Sequence, residues 1–291
     1  MAGLATAVGL QQLGHDVTIV EKRTDTSSGA GISIWPNALA ALDHIGLGDA
    51  VRAAGGRITA GALRWCDGSW LRHPTPDRFV RALGEPLVVI QRSVLRDILT
   101  GPLTADTIEY GLAATSLVTA DGGVRLQLSD NTMLTADAVI GADGTHSVVA
   151  RYLNGPLLHR YVGYTAWRGI ARYAIDPDLS GETLGPGLET GHVPMGRDLT
   201  YWFTTERAPE GHQSPEGELP YLRAKLADWA EPIPTILAAT APADVLRDDL
   251  YDRAPARHWA RGSVVLVGDA AHPMRPISAR AAAKGWKMPR F

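Results

Sequence analysis

The sequence is short of cysteine: Cys66 is the single one in 291 residues. One thiol cannot close a disulfide within the chain, so no disulfide framework holds the fold, and a reducing, cytoplasmic setting is expected. Cys66 itself falls in a polar, hairpin-like stretch where a lone thiol is ordinarily incidental. Charge of either sign is in little excess, 28 Lys+Arg against 31 Asp+Glu for a net of −3. That balance gives no reason to expect a nucleic acid or an anionic membrane as partner. No apolar run reaches the ~18 residues of a membrane-crossing helix, and no secretory leader pattern opens the chain. Acid–base triads and metal-ligand clusters are missing as well, so no catalytic residue and no metal site is assigned. What is present is apolar material, 45% of residues, enough for one large or two medium domains with a sizeable core.

Leu4–Leu13 reads as a helix, with Leu4, Ala7, Val8 and Gln11 on one face and Gly14 as its stop. Asp16–Lys22 follows as a β-branched strand ending in an acid. A helix running into a buried strand is the second half of a βαβ unit. A flexible loop containing Ser27, Ser28 and Gly29 leads to a second helix over 36–47. The stretch 58–71 alternates like antiparallel strands around the turn Asp67-Gly68, and 87–99 reads as a strand running into a helix. Further strands are expected over 124–128 and 136–140. From 151 to 261 the chain turns rich in aromatics, Gly and Pro, with strand-like pieces over 164–171 and 199–204 and a helix near 221–229. The segment 263–267 is a buried strand. The expected fold is α/β: a Rossmann-like domain, its first strand missing, interleaved with a sheet-rich second domain.

Four places carry candidate chemistry. Gly3 opens the first helix and Glu21 closes the strand after it. A helix N-terminus favours a phosphate, a glycine lets helix and strand pack closely, and an acid at the strand end suits a ribose hydroxyl. The alternative is an ordinary helix start with a surface acid beside Lys22. Arg92 stands where a strand passes into a helix, placed either for a phosphate or flavin or for a surface ion pair. Gly141-Ala142-Asp143-Gly144 follows a short strand; small residues let backbone approach a ligand, while Asp143 and Ser147 would equally cap the next helix. Most specific is Gly268-Asp269-Ala270-Ala271-His272-Pro273, after four apolar β-formers. It sets a carboxylate beside backbone that must lie close to something. A helix cap accounts for Asp269 but not for the segment as a set.

Taken in order, these motifs resemble the single-component FAD-dependent aromatic hydroxylases, the flavoprotein monooxygenases related to para-hydroxybenzoate, salicylate and urate hydroxylases. Gly31-Ile32-Ser33-Ile34-Trp35-Pro36-Asn37-Ala38-Leu39 is similar to the urate and salicylate branch. The resemblance implies that Glu21 binds the adenosine ribose, that Gly3 and Lys22 are cofactor-binding, and that Ser33 and Arg92 contact the cofactor. It puts Asp143 and Gly144 near the pyrophosphate, Gly268 and Asp269 at the ribityl-pyrophosphate region, and Pro276 near the reactive flavin edge. It implies hydroxylation of a small aromatic or heteroaromatic substrate with O2, using NADPH or NADH as transient reductant and a flavin C4a-hydroperoxide. Tyr164, Trp167, Arg168, Arg197, Tyr201 and Trp202 are candidates for an aromatic pocket, with sheet packing as the alternative for each.

The implied division assigns 1–57, 81–150 and 262–276 to the FAD-binding domain and 58–80 and 151–261 to the substrate domain, with 277–291 as an aberrant tail. Both ends depart from the family pattern. Met1 falls inside the glycine fingerprint, and the tail reads as a one-nucleotide frameshift of a family-like flavin-loop helix. On that reading the chain is expected to hold flavin weakly and to hydroxylate little. The alternatives are a non-catalytic remnant or an FAD oxygenase, such as an epoxidase, acting on a non-aromatic substrate.

Overall fold

The computed structural model describes residues 1–24, 30–120, 122–196 and 198–273. The first helix, Ala2–Gln12, buries Ala5, Ala7 and Val8 and ends where Gly14 takes a φ of 84°. The following strand is shorter than expected. It spans Ile19–Glu21 because its parallel partner, Ile108–Tyr110, is only three residues long. Asp16–Thr18 pair with no strand among the described residues. A second parallel pair joins Val139–Gly141 to Val264–Leu266, with Ala260–Arg261 antiparallel on its far side.

The expected strand over 136–140 is in fact two. Met133–Ala136 closes an antiparallel meander with Gly123–Leu128 and Ala114–Ala120, and Val139–Gly141 enters the parallel pair. The bend at Asp137 moves the chain from one sheet to the other. A third small sheet sets Leu87–Gln91 between Gly31–Ile34 and Gly56–Ile58, both antiparallel. Helices Pro36–His44, Gly48–Ala54 and Arg92–Thr100 pack there with the first helix around Leu39, Leu42, Val51, Leu95 and Leu99.

The aromatic-rich segment builds a seven-stranded sheet. Its order is Leu246–Arg253, His159–Ala171, Thr200–Arg207, Leu188–Pro194, Gly181–Gly185, Ala62–Trp65 and Trp70–Arg72. The Ala62–Arg72 hairpin, far away in sequence, pairs with Gly181–Gly185 and so shares this sheet. Side chains alternate across this sheet. Trp167 and Trp202 point to the face covered by helices Glu218–Lys225 and Ile233–Ala238, where Leu219, Leu222, Leu226 and Ile233 complete a core. Trp202 is fully buried, its indole N–H donating to Thr240 Oγ1 at 2.9 Å. Burying ~150–250 Å² of such a side chain contributes up to ~4–6 kcal/mol. The opposite face carries Ile170, Val193 and Tyr201, which cluster with Ile58, Leu87 and Val89 of the small sheet. This second cluster fixes the large sheet to the helical part of the molecule.

Candidate active site

Three of the motifs found in sequence come together at the start of the first helix. A Cβ on Gly3 would stand 2.9 Å from the Ala142 Cβ, and one on Gly268 would stand 2.9 Å from the Ala2 Cβ. Gly268 also holds a φ of 58°, a left-handed conformation that glycine adopts without strain. So Met1-Ala2-Gly3, Gly141-Ala142-Asp143 and Gly268-Asp269 pack at distances that leave no room for a side chain. Charge gathers at the same place. Glu21, Arg92 and Asp269 all lie near enough to Met1 to act on it electrostatically. Residues 21, 92 and 269, from three separate parts of the chain, thus act on one point.

The individual placements refine the expectations. Glu21 ends its strand and accepts from the Arg23 N–H at 2.9 Å, and Lys22 next to it is exposed. Ser33 lies half-buried mid-strand, opposite Val89. Arg92 is the first residue of its helix and is exposed. Asp143 caps the helix Val148–Asn154: its Oδ2 accepts from Val148 N at 2.7 Å and Val149 N at 3.4 Å. Ser147 caps the same helix by accepting from Ala150 N at 2.8 Å. The capping reading of both residues therefore holds in the structure. Gly144 turns the chain at a φ of 74° with open space around it. Asp269 is exposed on the short helical turn Gly268–Ala270. His272 packs its ring 5.1 Å from that of Trp259. Pro276, Arg197, the loop residues 27–29 and the tail 277–291 lie outside the described residues.

Beside this cluster lies the face of the large sheet opposite the helix-covered one, partly packed on the small sheet through Ile170, Val193 and Tyr201. A Cβ on Gly31 would sit 2.7 Å from Tyr201 Cγ, so the tyrosine ring lies directly on the backbone that leads to Ser33. Burial pushes the Tyr201 phenol up, and the guanidinium groups of Arg168 and Arg92 act to pull it down. Arg168 pairs with Asp248 on the neighbouring strand. Tyr164, on the same face, carries Arg207 over its ring. Trp167 and Trp202 do not belong to such a pocket, because the pleat sends them into the helix-covered core.

Sequence reasoning missed two features. Glu182 and Glu189 share the face opposite the helices, since Glu182 is opposite Gly191, whose missing side chain is replaced by the Phe203 ring, and Glu189 is two residues from Gly191. Burial pushes both carboxyls up, and the Glu182 charge helps bring Glu189 to about 7. The other is Arg253, 4% exposed, which donates to the carbonyls of Thr145, Ala270 and Ala271. Nothing in its local sequence signals this, because its partners are backbone carbonyls remote along the chain.

The arrangement suits a dinucleotide. Glycines and alanines line a close approach of backbone to a helix N-terminus, a carboxylate stands at a parallel strand end, and an arginine stands opposite. Comparison with known proteins agrees. The profile of the family described as FAD binding domain matches residues 1–286. The chain is 34% identical to aurachin C monooxygenase/isomerase of Stigmatella aurantiaca, over 95% of this chain and 73% of the relative. It is 36% identical to 3-amino-4-hydroxybenzoate 2-monooxygenase of Streptomyces cremeus, over 97% and 73%. The crystal structure of Klebsiella pneumoniae HpxO complexed with FAD and uric acid superposes with a TM-score of 0.86 at 27% identity, covering 97% of this chain and 73% of that one. The chain belongs to the FAD binding domain family. Within it, the relatives that it matches are single-component FAD-dependent aromatic hydroxylases and allied monooxygenases.

No helix among the described residues is long and apolar enough to cross a membrane.

Proposed function

We propose that the protein is an FAD-dependent monooxygenase that hydroxylates a small aromatic or heteroaromatic compound, with NADPH or NADH as reductant and O2 as oxygen donor. The observation that carries this is the close packing of the Gly3, Gly141-Ala142 and Gly268 backbones at the start of the first helix, where a Cβ on Gly3 or Gly268 would stand 2.9 Å from Ala142 or Ala2. When bound, FAD supplies the redox chemistry, taking a hydride from the nicotinamide and activating O2 for transfer of one oxygen atom.

The protein's own residues bind and orient. Glu21 accepts from the ribose of the adenosine end. The free N–H groups at the helix start face the pyrophosphate, with Gly3 and Gly268 clearing the approach. Asp269 accepts from ribityl hydroxyls, and Arg92 offers its guanidinium on the opposite side. Asp143 keeps the turn through Gly144 in place by capping the helix behind it. The substrate lies against the face of the seven-stranded sheet opposite its helices. There Tyr201 provides an apolar ring with a polar tip, Arg168 a donor and Glu189 a carboxyl near its neutral form.

The test is reconstitution of the purified chain with FAD. Flavin absorbance retained through desalting, followed by NAD(P)H oxidation that accelerates when an aromatic or purine-like compound is added, is the expected result, and it would refute the weak flavin retention expected from the departures at the two ends of the sequence. Failure to retain flavin at micromolar protein and FAD would overturn the reading. Flavin retention with acceleration only by non-aromatic alkenes would replace hydroxylation with epoxidation.

A further inference from the structure

Arg253 ends the strand Leu246–Arg253 at the edge of the seven-stranded sheet, yet the hydrogen bonds of its side chain leave that sheet. Its Nη2 donates to the Ala270 carbonyl at 2.8 Å and the Ala271 carbonyl at 3.4 Å, and its Nη1 donates to the Thr145 carbonyl at 3.3 Å. These acceptors belong to the two loops that carry Asp269 and Asp143. Both aspartates act electrostatically on the guanidinium. The Nε–H is buried without a protein partner among the described residues.

We infer that Arg253 is a positioning residue for the cofactor: its buried fork sets the spacing between the Thr145 loop and the Ala270-Ala271 loop. The inference rests on the FAD reading given above and adds a residue to it. A buried guanidinium is costly unless paired or hydrogen-bonded, so a residue in this position needs acceptors on more than one side. The two loops supply them, and the two exposed aspartates supply compensating charge. Arginine suits the place because its planar fork reaches two loops at once, whereas a lysine has one nitrogen and reaches one. The loops have few ties of their own. Ala271 N donates to the Gly268 carbonyl at 3.0 Å and Ser147 N to the Gly144 carbonyl at 3.2 Å, and both of these bonds are internal to one loop. The two loops leave their strands tied by Val267 N donating to the Gly141 carbonyl at 2.9 Å; beyond that bond Arg253 joins one loop to the other, and it does so from the sheet on which the substrate would lie. The position of Asp269 relative to Asp143 is therefore referred to that sheet.

The experiment compares the full chain with Arg253→Met and Arg253→Lys. It measures FAD dissociation constants by flavin fluorescence, visible circular dichroism of the bound flavin, and urea unfolding of the apoprotein. Arg253→Met is expected to weaken FAD binding by about tenfold or more and to alter the flavin dichroism, with Arg253→Lys between it and the wild type. If the methionine variant does not fold, the lysine variant, which keeps the charge but gathers its donors on a single nitrogen, carries the comparison. Lower apoprotein stability with unchanged FAD affinity and unchanged dichroism would mean a purely structural role and would overturn the inference. Wild-type protein that takes up no FAD would overturn the functional reading and this inference together. Uptake by the wild type with unaltered variants overturns only the role given to Arg253.

Discussion

The contact between Gly31 and Tyr201 joins the cofactor side of the molecule to the substrate sheet, and its strength can be worked out. A methyl group at Gly31 would meet Tyr201 Cγ at 2.7 Å, Cδ2 at 2.8 Å and Cβ at 3.1 Å. Cβ and Cγ are the near end of the side chain and cannot swing away without moving the strand Thr200–Arg207. Gly31→Ala should therefore behave as overpacking and cost ~1–3 kcal/mol. Tyr201→Ala removes a half-buried ring packed against Ile58, Leu87 and Val89 and should cost up to ~3–5 kcal/mol. In the double variant the methyl enters the space that the ring has left. Its loss should fall short of the sum of the single losses by ~1–3 kcal/mol. Gly9→Ala is the control. It also adds a methyl to a glycine, but in the first helix, where the nearest atom is Ile45 Cγ2 at 3.5 Å. There the gain in helix propensity should stabilise by ~0.5–1 kcal/mol. Urea unfolding followed by fluorescence of the eight tryptophans reads all four proteins. A Gly31→Ala variant as stable as the wild type, or additive losses in the double variant, would refute the reasoning.

Glu189 gives the protein a pH dependence of defined sign. Its carboxyl is raised from the ordinary 4.5 to about 7, so between those values the unfolded chain ionises while the folded chain keeps its proton. Stability is fully present below about 4.5, falls as pH rises through the window, and levels off above about 7. Because the side chain is partly exposed, the loss is discounted to ~1–2 kcal/mol. Urea midpoints at pH 5 and pH 8 should differ less in Glu189→Gln than in the wild type, and an equal difference would remove Glu189 as the cause. At the helix Val148–Asn154, Ser147→Ala should cost more than Asp143→Ala, because the Ser147 hydroxyl caps from a buried position and Asp143 from an exposed one. The expected losses are ~1–2 and ~0.5–1 kcal/mol; the reverse order in urea unfolding would contradict the capping geometry.

How much of this was legible in the sequence depends on what each residue's signal consists of. Glu21, Arg92 and Asp269 each stand at a strand end or a strand–helix junction, and hydrophobic periodicity locates such junctions. Parallel pairing accounts for the strands that end at Glu21 and before Asp269, but Arg92 follows a strand paired antiparallel in another sheet, so its place beside them could not be anticipated without coordinates. The strand over 136–140 could not be divided in advance. Both of its halves are apolar, and only the choice of partner strand separates them. The large sheet shows a different limit. Tyr201 and Trp202 are neighbours in a strand and so must face opposite ways, which already forbids both from lining one pocket. Which of them faces the cofactor is a question of register. In His159–Ala171 an irregularity between Tyr161 and Thr165 shifts the pairing with Leu246–Arg253, so alternation cannot be carried across the whole strand. Glu182 and Glu189 are hidden by the same difficulty, since their shared face appears only once Glu182 is set opposite Gly191. Arg253 lies further out of reach. Its partners are main-chain carbonyls 17, 18 and 108 residues away, and a carbonyl carries no side-chain signature. A binding residue can be recognised by the chemistry it presents to a ligand, but one that holds two loops together is visible only when both loops have been placed.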